Sequence, residues 1–209
     1  MNLSAPPRGT AISGNLLSRY PRWVYWVLFA AMAGPIGIIL HELGHFLVAH
    51  AFGFPDVVLH FGSVSDGAAG AGAPQWQQGV KAGAGPFVTL VLLGICCGAT
   101  VRFGAQPWIV APGFALGIRS ALVGLAYLGA HFRGTAGKAD IDELNFARAL
   151  GLSMDAVMAA STALVLVSWI FLALSIAPGN RLKSLMAAAA GTAVGLILYI
   201  NWLGPWILP

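Results

Sequence analysis

The chain alternates long apolar stretches with short polar ones. Five stretches, at about residues 23–52, 79–101, 108–130, 155–177 and 185–208, reach the roughly 20 residues that a helix needs to cross a bilayer. Backbone groups surrounded by hydrocarbon must bond to one another, so the pattern predicts an all-α polytopic membrane protein with about five transmembrane helices. One interval departs from this: residues 53–79 are rich in Gly, Ala, Ser and Gln, carry Asp56 and Asp66, and cannot cross. Within it Val57-Val58-Leu59-His60-Phe61 has the β-branched character of a short β-strand or hairpin element after the first helix, with His60 a strand residue. Gly34-Pro35 divides the first apolar stretch and predicts a kink there. Glycines four apart, Gly79 with Gly83, Gly94 with Gly98 and Gly191 with Gly195, permit close helix approach.

Three regions follow from the polar intervals. Residues 1–22 contain Pro6-Pro7 and Arg8, Arg19 and Arg22 without an acidic partner, which reads as a flexible basic N-terminal arm at the membrane surface. The apolar run behind it is about twice the length of a signal-peptide core, so it is expected to stay in the mature protein. Residues 23–154 hold three spans and the most polar loop. Residues 155–209 form two scaffold spans, in which Asn201 is polar enough to bond between helices. In the polar loop, Ile141, Leu144 and Leu150 precede Gly151 at near-helical spacing, predicting a short amphipathic helix closed by a glycine cap. Asp140 and Glu143 stand three apart, as in a capping box.

Composition turns this pattern into a localisation. With 58% hydrophobic and 9% charged residues, against about a quarter charged in soluble domains, the chain is a multi-pass integral membrane protein whose constant partner is the lipid bilayer. The net charge of +4 is spread over termini and loops without a basic stripe interleaved with aromatics, which argues against nucleic acid. Cys96 and Cys97 are helix neighbours that point too far apart to bridge. Arg8, Arg19, Arg22, Arg102, Arg181 and Lys183 share one side and outnumber the cations on the other, which favours a cytoplasmic N-terminus.

The candidate chemistry lies in the first span, at His41-Glu42-Leu43-Gly44-His45. Residues four apart stand one helical turn apart on the same face, so the two histidines have zinc-ligand spacing. Glu42 reaches the adjoining edge, where it can take a proton from water without ligating a metal itself. The chain has seven acidic residues and five histidines, and three of these twelve fall together in one apolar segment. Each costs roughly 3 kcal/mol to insert at the bilayer centre, so a functional reason for them is the default. A site of this type needs a third ligand, and the acidic cluster after the third span returns to the side of the motif after two further crossings. Asp142 is the preferred third ligand, with Asp140 and Glu143 as alternatives, because the capping pattern leaves Asp142 without another role. Arg119, about ten residues from either end of its span, needs a partner. It either pairs with a carboxylate near the metal or steadies an oxyanion, or it forms a buried ion pair that fixes helix register, and the last is preferred. Thr89 is assigned a structural role.

The motif within a hydrophobic helix, followed by Gly85-Pro86 at the head of a later apolar segment, resembles the intramembrane zinc metalloproteases of the site-2 protease type over about residues 34–150. The resemblance implies a zinc-dependent intramembrane endopeptidase, with Zn2+ on His41 and His45, Glu42 as general base, and a membrane-protein substrate received in extended form by an edge strand near the site. It also implies a site opening toward the cytoplasm, against the orientation that the charges favour. The chain departs from the family where an asparagine commonly follows the Gly-Pro, here Thr89, and in lacking the Leu-Asp-Gly stretch that supplies the third ligand. Two other classes use the same residues: a non-proteolytic membrane metal-binding or transport protein, and an inactive protease-like scaffold. Haem ligation is disfavoured, since two imidazoles on one helix face cannot take opposite axial positions.

Overall fold

The computed structural model describes residues 20–67 and 72–208, so nearly all of the predicted basic arm lies outside the described residues. Five helices are long and apolar enough to cross a membrane. They are α1 (Arg22–Ala51), α2 (Gln75–Phe103), α3 (Pro107–Phe132), α5 (Met154–Ser175) and α6 (Pro178–Leu198), the last continuing through a π-turn at Tyr199–Leu203 into α7 (Gly204–Ile207). The expected hairpin follows α1: β1 (Val58–His60) pairs antiparallel with β2 (Ser63–Ser65), with His60 opposite Ser63. The amphipathic helix α4 (Asp142–Leu150) ends on Gly151, whose φ of 67° gives the left-handed cap that a side chain with a Cβ adopts only at a cost.

Helices α2 and α3 pack on α1, and α6 covers another of its faces. The α1–α6 contact is the closest in the fold, because a Cβ on Gly191 or Gly195 would run into the backbone of Val27 or Ala31. α1 is helical on both sides of Pro35. Proline has no N–H to give the carbonyl four residues back, which is that of Ala31, and Gly195 packs onto that carbonyl instead. Gly79 and Gly83 likewise let α4 approach α2, through Ala149 and Phe146. Gly94 and Gly98 do not act this way. No neighbour lies within 4 Å of a Cβ at either, because their face of α2 is directed outward, as exposed Val91 and Ile95 show.

Two further expectations are corrected. Asn201 bonds within its own helix, to the Ile197 carbonyl, because the π-turn at Tyr199–Leu203 leaves its side chain exposed. Asp140 and Glu143 form no capping box: Ile141 occupies the N-cap position without a side-chain bond. The Asp140 carboxylate accepts from Asn145 Nδ2 at 2.8 Å, and the Glu143 carboxyl is turned inward. Cys96 and Cys97 are both free thiols.

The hairpin is fastened at both ends. Phe61 donates its N–H to the Leu208 carbonyl at 3.1 Å, and the Phe61 carbonyl accepts from the buried Tyr199 hydroxyl at 2.7 Å, so the end of the last span fixes the turn. On the other side Lys81 of α2 holds Asp66, just beyond β2, at 2.7 Å. A two-stranded ribbon is marginal alone, and these ties place β2 over the metal-motif face of α1.

Candidate metal centre

Each of the three convergent side chains comes from a different element or turn. His41 and His45 stand one turn apart on α1, about 15 Å and about 9 Å from its C-terminal end at about 1.5 Å per residue, and both are buried. Asp142 is the first residue of α4, carried back to this side by α2 and α3. One ligand atom from each lies within 4.8 Å of the others. The separations are 3.2 Å between the two Nε2 atoms, 3.2 Å from His41 Nε2 to Asp142 Oδ2, and 3.4 Å from His45 Nε2 to the same oxygen.

The remaining ring nitrogens fix which way the imidazoles face. His45 donates its Nδ1–H to the Lys81 carbonyl at 2.7 Å, since a carbonyl can only accept. His41 Nδ1 pairs with the Thr89 hydroxyl at 2.9 Å. A neutral His45 therefore turns its Nε2 lone pair toward His41 Nε2 and the Asp142 carboxylate. Electron-rich atoms brought this close repel one another, and a cation between them satisfies all three at once. Outer partners of this kind orient metal-ligating histidines generally. Thr89 thus has a more specific task than general packing. Thr89→Val, which keeps the shape and removes the hydroxyl, is expected to weaken metal binding 10- to 100-fold, read by competition against a chelator.

Gly85 completes the cradle. A Cβ at this position would collide with the Nε2 atoms of both histidines, so α2 can lie against the convergent donors only with glycine here. The donor set and the space kept clear beside it together fit a metal ion: His41, His45 and Asp142 can hold one.

Compared with known proteins, the chain matches no family model, no curated protein and no solved structure.

Arg119 pairs through Nη2 with Asp142 Oδ2, so its partner is the carboxylate beside the histidines and not an ion pair remote from them. This overturns the preference for a helix-register role. Burial would raise the Asp142 carboxyl, but the Arg119 guanidinium paired with it favours the charged form, and the group lies well below the usual carboxylate range. Asp142 is thus ionised, as a ligand must be.

Neither alternative to Asp142 belongs to the donor group, although Asp140 lines the cavity beside it. Asp140 is engaged by Asn145, which in turn accepts from Arg148 at 2.7 Å. Glu143 is 3% exposed, with neither carboxyl oxygen hydrogen-bonded among the described residues, and it faces an apolar groove of about 520 Å³ between α2 and α5. Burial pushes its carboxyl up. A buried polar group without a partner costs about 1–3 kcal/mol. Glu143→Met, similar in length and apolar, is expected to stabilise the protein by about that amount, read as a raised melting temperature in detergent. Sequence reasoning names Glu143 as a cap or an alternative ligand and does not anticipate this buried position, nor the contact of Thr89 with His41.

Glu42 lies at the edge of the site. It is 7% exposed, its carboxylate has no hydrogen-bond partner among the described residues, and it lines a cavity of about 370 Å³ with His45, Asp142 and Arg119. Ser63 and Val64 of β2 form another wall of the same cavity. An unengaged carboxylate, a cation-binding cluster and a strand thus border one space.

Proposed function

We propose that the chain is a zinc-dependent intramembrane endopeptidase of the site-2 protease type, cleaving a membrane-protein substrate within or beside the bilayer. The observation that carries this reading is the shared cavity: Glu42 faces it beside the His41, His45 and Asp142 donors, under the hairpin. Zinc suits the spacing. Donors 2.0–2.1 Å from one tetrahedral ion stand about 3.3–3.4 Å apart, close to the separations found here. Calcium, at 2.3–2.6 Å, would spread them to about 3.8–4.2 Å in the same arrangement, and two imidazoles suit zinc better than a hard cation.

Zinc held there supplies Lewis acidity, which makes water a nucleophile near neutral pH and polarises a carbonyl. The protein supplies the rest. Glu42 accepts the proton of the attacking water at its carboxylate and gives it to the departing amine. Arg119 holds Asp142 in its charged form, and Thr89 and the Lys81 carbonyl hold the imidazoles in register. β2 offers backbone partners to a peptide that has left its helical form, since a protease needs an extended chain and strand addition provides one.

The test is a comparison of membrane proteomes from cells expressing the wild type or Glu42→Gln. Fragments with new termini inside predicted spans are expected with the wild type alone, and they should disappear with a zinc chelator. Identical fragment sets from the two strains would sink the reading.

A further inference from the structure

The face opposite the metal centre is built for an anion. Helices α1, α3 and α6 all begin there, with no side-chain N-cap and no acidic residue in the first turn of any of them. Helix N-termini carry partial positive charge, and three of them border one place, although Pro107 and Pro178 have no N–H to give. They surround a cavity of about 230 Å³ whose walls include the side chains of Arg22, Lys183, Asn180 and Ser184. Ser184 is 7% exposed and has no hydrogen-bond partner among the described residues. Arg22 and Lys183 form no ion pair among the described residues, whereas nearby Arg181 is engaged with the carbonyls of Leu174 and Ile176 at the end of α5. None of the seven acidic residues of the chain lies on this side, and Glu42, the only one in α1, is about 30 Å along the helix from Arg22.

We propose that this cavity binds the phosphate of an anionic phospholipid headgroup. Two unpaired cations and the Ser184 hydroxyl are donors for a phosphate, and the positive ends of three helices favour its charge. The surroundings select a lipid over a free ion. Trp23 and Trp26 form apolar wall, Trp23 and Trp108 are exposed at the helix ends where headgroups lie, and hydrocarbon surface continues below them. Basic residues at such a surface attract anionic lipid by roughly fivefold for each cation.

Native mass spectrometry of the full chain, released from micelles holding equal phosphatidylglycerol and phosphatidylcholine, tests this. The wild type is expected to retain phosphatidylglycerol in preference. Arg22→Gln with Lys183→Gln should reduce the preference roughly tenfold or more, while Arg133→Gln on the opposite face leaves it unchanged. Both substituted cations are exposed, so folding should survive, and an unchanged melting temperature in detergent checks it. Equal retention of the two lipids by the wild type, or a preference indifferent to the double substitution, overturns the proposal. Displacement of the bound lipid by millimolar inorganic phosphate would also overturn it, by showing a site for the free anion.

Discussion

Glu42→Gln is expected to abolish peptide hydrolysis while the protein keeps its metal and its fold. A positioned general acid–base group contributes about 10²- to 10⁴-fold, and an amide of the same shape cannot accept the proton. The carboxylate makes no hydrogen bond among the described residues and is absent from the metal-binding group, so its replacement leaves His41, His45 and Asp142 in place. The same substitution separates the proposal from its rivals. A metal transporter using the two histidines would keep its function in Glu42→Gln, and an inactive scaffold would have no turnover to lose. The measurement is turnover of a substrate found in the proteome comparison, with metal content determined on the same preparation. Full turnover with Glu42→Gln would rule out its role as the base.

Gly85→Ala is expected to do the opposite, removing metal and activity together. Inside a helix, Gly to Ala ordinarily stabilises by about 1 kcal/mol. Here the added methyl would meet the Nε2 atoms of both His41 and His45, on the side where the lone pairs converge. Either the imidazoles rotate, breaking their bonds to Thr89 and the Lys81 carbonyl, or α2 moves off α1. Both outcomes spread the donors. Gly94→Ala in the same helix serves as the control, since its Cβ meets nothing and the protein should gain slightly in stability with full metal content. Normal metal affinity in Gly85→Ala would show that the donors do not converge as described.

What the sequence disclosed followed from local periodicity. The lengths of the apolar stretches predict five spans, the β-branched run after the first predicts β1, and the four-residue spacing of His41 and His45 predicts their common face. Counting crossings points to the acidic cluster after the third span; within it the preference for Asp142 rests on a capping box that does not form, and the structure nonetheless brings Asp142 to the histidines. The rest depended on approaches between elements far apart in the chain. His41 and Thr89 are 48 residues apart, and Tyr199 reaches the hairpin across 138. Arg119 announced its need for a partner through its depth in an apolar span, but nothing local says which carboxylate will meet it. Glu143 was misread for a related reason. Its spacing from Asp140 suits a cap, yet α4 packs closely on α2 over Gly79 and Gly83, and Glu143 is buried there. Gly85 stood out only as part of a Gly-Pro pair, and its use became visible once the histidine rings were beside it.

The proposed endopeptidase requires one zinc ion on His41, His45 and Asp142. Elemental analysis of the purified full chain by inductively coupled plasma mass spectrometry tests it most directly, with the wild type beside His45→Ala, Asp142→Ala, Asp140→Ala and Glu42→Gln. Zinc is expected at one per chain in the wild type, Asp140→Ala and Glu42→Gln, and far below that in His45→Ala and Asp142→Ala. A wild type that purifies without zinc and takes up none when it is supplied, or Asp142→Ala that retains a full equivalent, would contradict it.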